Sequence, residues 1–158
     1  MMGRRGEGWV ALQFLLFLII VFAPLSDRSS LLFLRAGAGA TALRVIGVLL
    51  VAGGGLFGMA AVLGLGRNLT AFPRPIEGGT LVPSGAYAIV RHPIYFGLIL
   101  AAFGWALWNT SLTGVGLTVV LFIFFDLKSR QEERWLAQVY PEYRAYQQRV
   151  KKLIPWVY

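Results

Sequence analysis

An all-α integral membrane protein, with four transmembrane helices and an amphipathic C-terminal tail, is the fold class that three observations predict. Of the 158 residues, 57% are hydrophobic and 14% charged, against about 45–50% and about 25% in ordinary soluble domains. The apolar residues are gathered into four runs, and the mean hydropathy is +0.65. The basic residues flank those runs and do not interrupt them, as membrane topology requires. The net charge of +8, which in a soluble chain would raise nucleic-acid binding, is therefore read as topology, and no nucleic-acid partner is expected. With no cysteine and a single histidine, His92, the chain has no disulfide framework and no ligand set for a zinc centre. No metal is expected.

Residues 9–25 form the first run, broken only by Gln13, near the lower limit of the roughly 17–25 residues that cross a ~30 Å hydrocarbon core. No small-x-small cleavage pattern follows Ala23 and Pro24 at a suitable distance, so the run reads as a span and not as a signal peptide. Residues 45–66 carry neither charge nor amide and make the clearest span. Gly54 and Gly58 within it have the four-residue spacing that lets helix backbones approach closely in lipid, and packing inside the monomer is the preferred reading over a dimer face. Oligomerisation is open but not indicated.

Residues 94–108 and 112–125 are separated by Asn109, Thr110 and Ser111. As one helix they would reach about 48 Å at 1.5 Å per residue, too long for the core, so a helical hairpin is predicted. From Asp126 the composition turns charged, yet Leu136, Val139, Tyr140, Tyr143, Tyr146 and Val150 keep helical spacing. The tail, 126–158, is expected to be two short helices, with Pro141 starting the second and Glu142 in its first turn. With four crossings, twelve basic residues fall on the side of the termini and the 67–93 loop, and three (Arg28, Arg35, Arg44) on the other. Positive-inside then puts both termini and that loop in the cytoplasm, where loop and tail build one site. A bacterial or archaeal cell membrane is the expected location. The whole of 1–158 reads as a single domain.

The 67–93 loop is rich in turn residues from Gly78 to Gly85 and runs straight into the third span. Arg91 and His92 thus sit at the mouth of a helix that Pro93 starts, with Tyr95 and Gly97 just inside. Singly, an arginine or a tyrosine there is an interfacial anchor; together with the only histidine they indicate a polar site. A second cluster, Asp126 to Arg134, emerges on the same side, and Lys128 and Glu132, four apart, share a helix face.

Arg91-His92-Pro93-Ile94-Tyr95-Phe96-Gly97, preceded by Gly79-Thr80-Leu81-Val82 and followed after a hairpin by Glu132-Glu133, Leu136, Tyr143, Tyr146 and Leu153-Ile154-Pro155, resembles the isoprenylcysteine carboxyl methyltransferase family. This family stands with the phospholipid methyltransferases among integral-membrane enzymes that use S-adenosyl-L-methionine. The resemblance covers residues 78–156. It implies that Gly79, Thr80, Leu81 and Val82 line the cofactor, that Tyr87 touches it, that Arg91, His92, Pro93, Tyr95 and Gly97 form its pocket, and that Glu132 binds it. Lys128 takes the position of a residue, usually arginine, that holds a substrate carboxylate; arginine's planar fork is lost, and Arg130 is the neighbouring guanidinium that would substitute. Ala88 and the shorter Tyr140-Pro141-Glu142-Tyr143 segment also depart from the family pattern, and Pro155-Trp156-Val157-Tyr158 carries no prenylation signal.

These roles are chemically sensible. A donor bearing an α-ammonium, an α-carboxylate and a sulfonium needs an acceptor such as Glu132, a cation such as Arg91 and electron-rich rings such as Tyr87 or Tyr95. Methyl transfer to a carboxylate needs alignment and exclusion of water, not a base, whereas an amine acceptor would need deprotonation by His92 or Glu133. Arg91, His92 and Glu133 are the expected catalytic residues, and a lipid or lipophilic molecule arriving through the bilayer is the expected acceptor. Two other classes stand beside this one: an NADPH-dependent membrane reductase of sterol or lipid type, and a non-catalytic membrane scaffold. The reductases carry further spans, and transport is disfavoured because no charge interrupts the four runs.

Overall fold

A computed structural model describes residues 6–26, 37–70, 72 and 78–158. Arg4, Arg5, Arg28, Arg35 and Arg74, on which the topology count partly rests, lie outside the described residues. The described chain is helical: α1 (Glu7–Phe22), α2 (Ala38–Leu65), a short α3 (Ala86–Ile89), α4 (Pro93–Trp108), α5 (Leu112–Val139) and α6 (Tyr143–Arg149), with 3-10 turns at Ala23–Ser26 and Gly66–Asn68.

Among the described residues, three stretches are long and apolar enough to cross a membrane: Glu7–Ser26, Ala38–Asn68 and Leu112–Val139. The fourth expected span, α4, is a helix of 16 residues, about 24 Å long, and falls short by length. It nonetheless lies antiparallel against α2. A Cβ on Gly47 would stand 2.6 Å from the carbonyl oxygen of Gly104, and one on Gly54 would stand 2.5 Å from that of Gly97. The two contacts are seven residues apart on both helices, two full turns, so one glycine stripe meets the other. Close packing of Gly54 is thus made within the monomer.

On its other side α4 shares a core with α1 and α5, built of Leu16, Ile20, Ala102, Leu121, Phe124 and Phe125. Aromatic rings fill it: Trp9 against Phe124 at 5.5 Å and Tyr95 stacked on Phe125 at 4.2 Å between centroids. The hairpin between α4 and α5 turns at Asn109 to Ser111, where the Ser111 hydroxyl accepts from the amide of Gly114 at 2.9 Å and caps α5.

Three expectations are corrected. The second helix begins seven residues before 45, so Arg44 belongs to α2 and not to a connecting loop. The change of composition at Asp126 does not end a helix: α5 runs unbroken from Leu112 to Val139, because Lys, Arg, Gln and Glu are good helix formers and what changes there is the surroundings. Only one separate tail helix follows, α6, which starts at Tyr143 with Glu142 as its cap, Pro141 sitting in the turn before it. The chain beyond α6 makes a parallel bridge, Val90 to Lys151, that nothing in the residue pattern foretold.

Candidate functional site: a cavity at the mouth of α4

His92 is the residue capping α4 and Pro93 its first helical residue, as expected. Val90 is extended, and the tail holds the two residues between it and the helix: the amide of Arg91 donates to the carbonyl of Lys151 at 2.8 Å, that of His92 to the carbonyl of Lys152 at 3.1 Å. A strap of chain from the C-terminal tail therefore sets the direction in which both side chains leave the backbone.

Those side chains meet the adjacent acids of α5. Arg91 Nε donates to Glu133 Oε1 at 2.7 Å, and one terminal nitrogen donates to the carbonyls of Gln147 (3.1 Å) and Val150. His92 Nε2 lies 3.1 Å from Glu133 Oε1 and Nδ1 lies 3.5 Å from Glu132 Oε2. Gln147 donates to the second oxygen of Glu133 at 3.1 Å. Glu132 accepts from the hydroxyl of Tyr95, whose ring is stacked on His92 at 5.5 Å between centroids. Successive residues on a helix point about 100° apart, so Glu132 faces a cavity while Glu133 is spent on Arg91, His92 and Gln147.

The cavity has a volume of about 490 Å³. Of the expected residues, Thr80, Leu81, Val82 and Tyr87 line one side and Arg91, His92, Pro93 and Tyr95 another, with Lys128 and Glu132 on α5. Asn68 holds the loop in place, its side-chain oxygen accepting from the amide of Thr80 at 3.0 Å. Four expected residues are not on the wall. Gly79 lies outside it; Gly97 is used against α2; Glu133 stands behind Arg91 and His92. Arg130 is 58% exposed and pairs with Asp126 at 2.7 Å, turned away because it is two residues, about 200°, from Lys128.

Residues that the sequence did not assign complete the wall. Gln13, the one polar break in the first run, reaches from α1 and accepts from Lys128 Nζ at 2.6 Å, and Lys128 also lies 5.3 Å from the centroid of the Tyr95 ring. Tyr140, Tyr143 and Tyr146 also line the cavity. Their helical stripe was visible, but which way it faced was not. The Tyr146 hydroxyl donates to the carbonyl of Tyr87 at 2.6 Å, tying α6 to α3. Burial pushes the phenol of Tyr146 up to about 12, Arg91 pulling the other way; burial also drives the phenols of Tyr87 and Tyr143 well above the usual range. All three stay neutral hydrogen-bonding rings at physiological pH. The arrangement can bind a cation on rings and carboxylate, and an anion near Lys128 or Arg91, in one enclosure.

A family profile described as phospholipid methyltransferase matches residues 43–143, from within α2 to the start of α6. A probable protein-S-isoprenylcysteine O-methyltransferase of Oryza sativa is 31% identical over 116 residues, 71% of this chain and 61% of its own. A cobalt-zinc-cadmium resistance protein of Cupriavidus metallidurans is 31% identical over 80 residues, 50% of this chain and 37% of its own. Methanethiol S-methyltransferase 1 of Bradyrhizobium diazoefficiens is 38% identical over 71 residues, 44% and 24% of the two chains. The chain spans less than two thirds of the length of each of these relatives.

Proposed function

The chain belongs to the phospholipid methyltransferase family, and from that premise we propose that it is an integral-membrane methyltransferase that takes its methyl group from S-adenosyl-L-methionine and gives it to a lipophilic acceptor delivered from the bilayer. The observation that carries the proposal is the convergence of Glu132, Arg91 and five phenols on one cavity of about 490 Å³, within the roughly 300–1,000 Å³ typical of small-molecule sites. The donor set fits the cofactor. When bound, S-adenosyl-L-methionine supplies an electrophilic methyl on a sulfonium.

Glu132 holds the α-ammonium, Arg91 offers its guanidinium to the α-carboxylate, and the faces of Tyr87 and its neighbours attract positive charge. Glu133 acts through Arg91 and His92 and is a positioning residue. Both nitrogens of His92 face carboxylate oxygens, so neither is directed at an acceptor proton. Lys128, held by Gln13, places a cation on the cavity wall. Together these favour an acceptor that arrives as an anion over an amine needing a base, in line with relatives named for transfer to oxygen and to sulfur. Lys128 and Gln13 orient that acceptor, and the surrounding helices exclude water. The excess of basic residues on the side of the 67–93 loop supports a cytoplasmic position for the site.

Calorimetric titration of the purified chain in detergent tests this. Saturable binding of S-adenosyl-L-methionine and none of NADPH is expected. Removing one charge-assisted contact, as in Glu132→Ala, should weaken binding roughly ten- to a hundredfold, and His92→Ala should also weaken it. Wild-type affinity in both variants would refute the site, and binding of NADPH alone would refute the activity.

A further inference from the structure

Beyond α6 the chain folds back towards the middle of α5. The ring of Tyr158 packs beside Phe122, 6.3 Å between centroids, and its hydroxyl donates to Asp126 Oδ1 at 2.8 Å. Lys152, buried, donates to the same carboxylate oxygen at 2.5 Å and to the Asp126 carbonyl at 3.0 Å. Asp126 is the first charge after the apolar run of α5, and Phe122 lies one turn inside that run. These contacts set the height of the segment at the level where α5 leaves its apolar stretch. Glu132 lies six residues further on, about 9 Å along the helix.

At that height the segment turns its large apolar side chains outward. Trp156 is 83% exposed and Val157 71%, with Ile154 beside them. Trp156 has φ of 61°, a left-handed conformation that a bulky residue rarely adopts. The amides of Leu153 and Ile154 both donate to a main-chain oxygen of Tyr158 at 2.7 Å and close the loop around it. The backbone is thus held in an unfavourable region with an indole pointing away from the protein. Ile123 and Leu127, successive on one face of α5 and exposed, carry the outward apolar surface of the span to the same level.

We infer that residues 154–157 are an interfacial membrane anchor, whose Trp156 and Val157 insert at the lipid–water boundary beside α5. Three features select lipid as the occupant. The segment is continuous with the lipid-facing side of α5, tryptophan is the residue that settles at headgroup level, and the exposed Arg130, Arg149 and Lys151 lie on the flanking chain, where headgroups would meet them. The same strap carries the Lys151 and Lys152 carbonyls that hold Arg91 and His92, so the anchor fixes the cavity's height relative to the membrane surface.

The absence of cysteine allows a single fluorophore to be placed at will. Val157→Cys, Val119→Cys on the exposed face of α5 and Arg144→Cys on the exposed face of α6 would each be labelled with nitrobenzoxadiazole. The full chain would then be reconstituted in phosphatidylcholine nanodiscs with and without brominated acyl chains. The label at 157 should show blue-shifted emission and bromolipid quenching approaching that at 119, with none at 144, and adding Trp156→Ser should reduce the quenching at 157. Quenching at 157 no greater than at 144 overturns the inference. So does a label at 157 that is shielded from aqueous iodide yet untouched by bromolipid, which would place another protein surface there.

Discussion

Adding one methyl group to Gly97 should open the contact on which the position of α4 depends. A Cβ there would stand 2.5 Å from the carbonyl oxygen of Gly54 and 3.0 Å from both the nitrogen and Cα of Gly58, where carbon contacts are comfortable at about 3.5–4.0 Å. All three neighbours are backbone, so no side chain can rotate aside and the helices must part by about 1 Å. Overpacking costs about 1–3 kcal/mol, and a backbone obstacle on both sides argues for the upper end, about 3 kcal/mol. Alanine recovers about 1 kcal/mol over glycine in a helix. The net loss for Gly97→Ala is then about 2 kcal/mol, a roughly thirtyfold shift towards the unfolded chain. Gly53→Ala supplies the control, because a Cβ there meets nothing within 4 Å and should be neutral or stabilise by up to about 1 kcal/mol. Reversible unfolding in mixed micelles, followed by circular dichroism, would measure both, together with Gly54→Ala. Since Gly54 and Gly97 offer the same contact from opposite sides, the double variant should cost less than the sum of the singles. Gly97→Ala as stable as wild type, or Gly53→Ala as damaging as Gly54→Ala, would refute the reasoning.

Asp126→Asn should destabilise by about 3–5 kcal/mol, the cost of leaving a buried partner's charge uncompensated, since Lys152 is buried on it. Lys152→Met should cost clearly less, because Asp126 keeps Arg130 and Tyr158; denaturant midpoints in detergent would rank the two, and the reverse order would contradict the assignment. For Tyr146, whose folded value is about 12 against about 10 for a free phenol, the unfolded chain ionises first as pH rises. Its contribution to stability is therefore full below pH ~10 and lost as pH climbs towards 12. Thermal melts of Tyr146→Phe across that window should show a shallower alkaline decline than wild type, and an unchanged slope would count against it.

Much of the architecture was legible in the residues themselves. Apolar runs report burial in lipid, so the helices at 9–25, 45–66 and 112–125 and the turn at Asn109 to Ser111 follow from hydropathy and chain geometry. Four-residue spacing was enough to put Lys128 and Glu132 on one face of a helix, and the cavity receives both. Pro93 marked the start of α4 because its fixed φ and missing amide suit only that position. Local chemistry of this kind is written into neighbouring residues.

The tertiary structure alone decided what meets what. Gly54 and Gly58 announced a close approach but not that Gly97 would supply the other side, since a small residue specifies closeness and not a partner. Glu132 and Glu133 are chemically identical neighbours, told apart beforehand by the family resemblance alone; the positions of Arg91 and His92, some forty residues earlier, are what physically separate the acid that faces the cavity from the one behind it. Arg130 looked as able as Lys128 to meet an anion until helical rotation turned it towards Asp126. The strap from Lys151 to Tyr158 carries no periodicity to read, and its hold on Arg91 and His92 is made through main-chain carbonyls, which every residue possesses and no sequence pattern distinguishes.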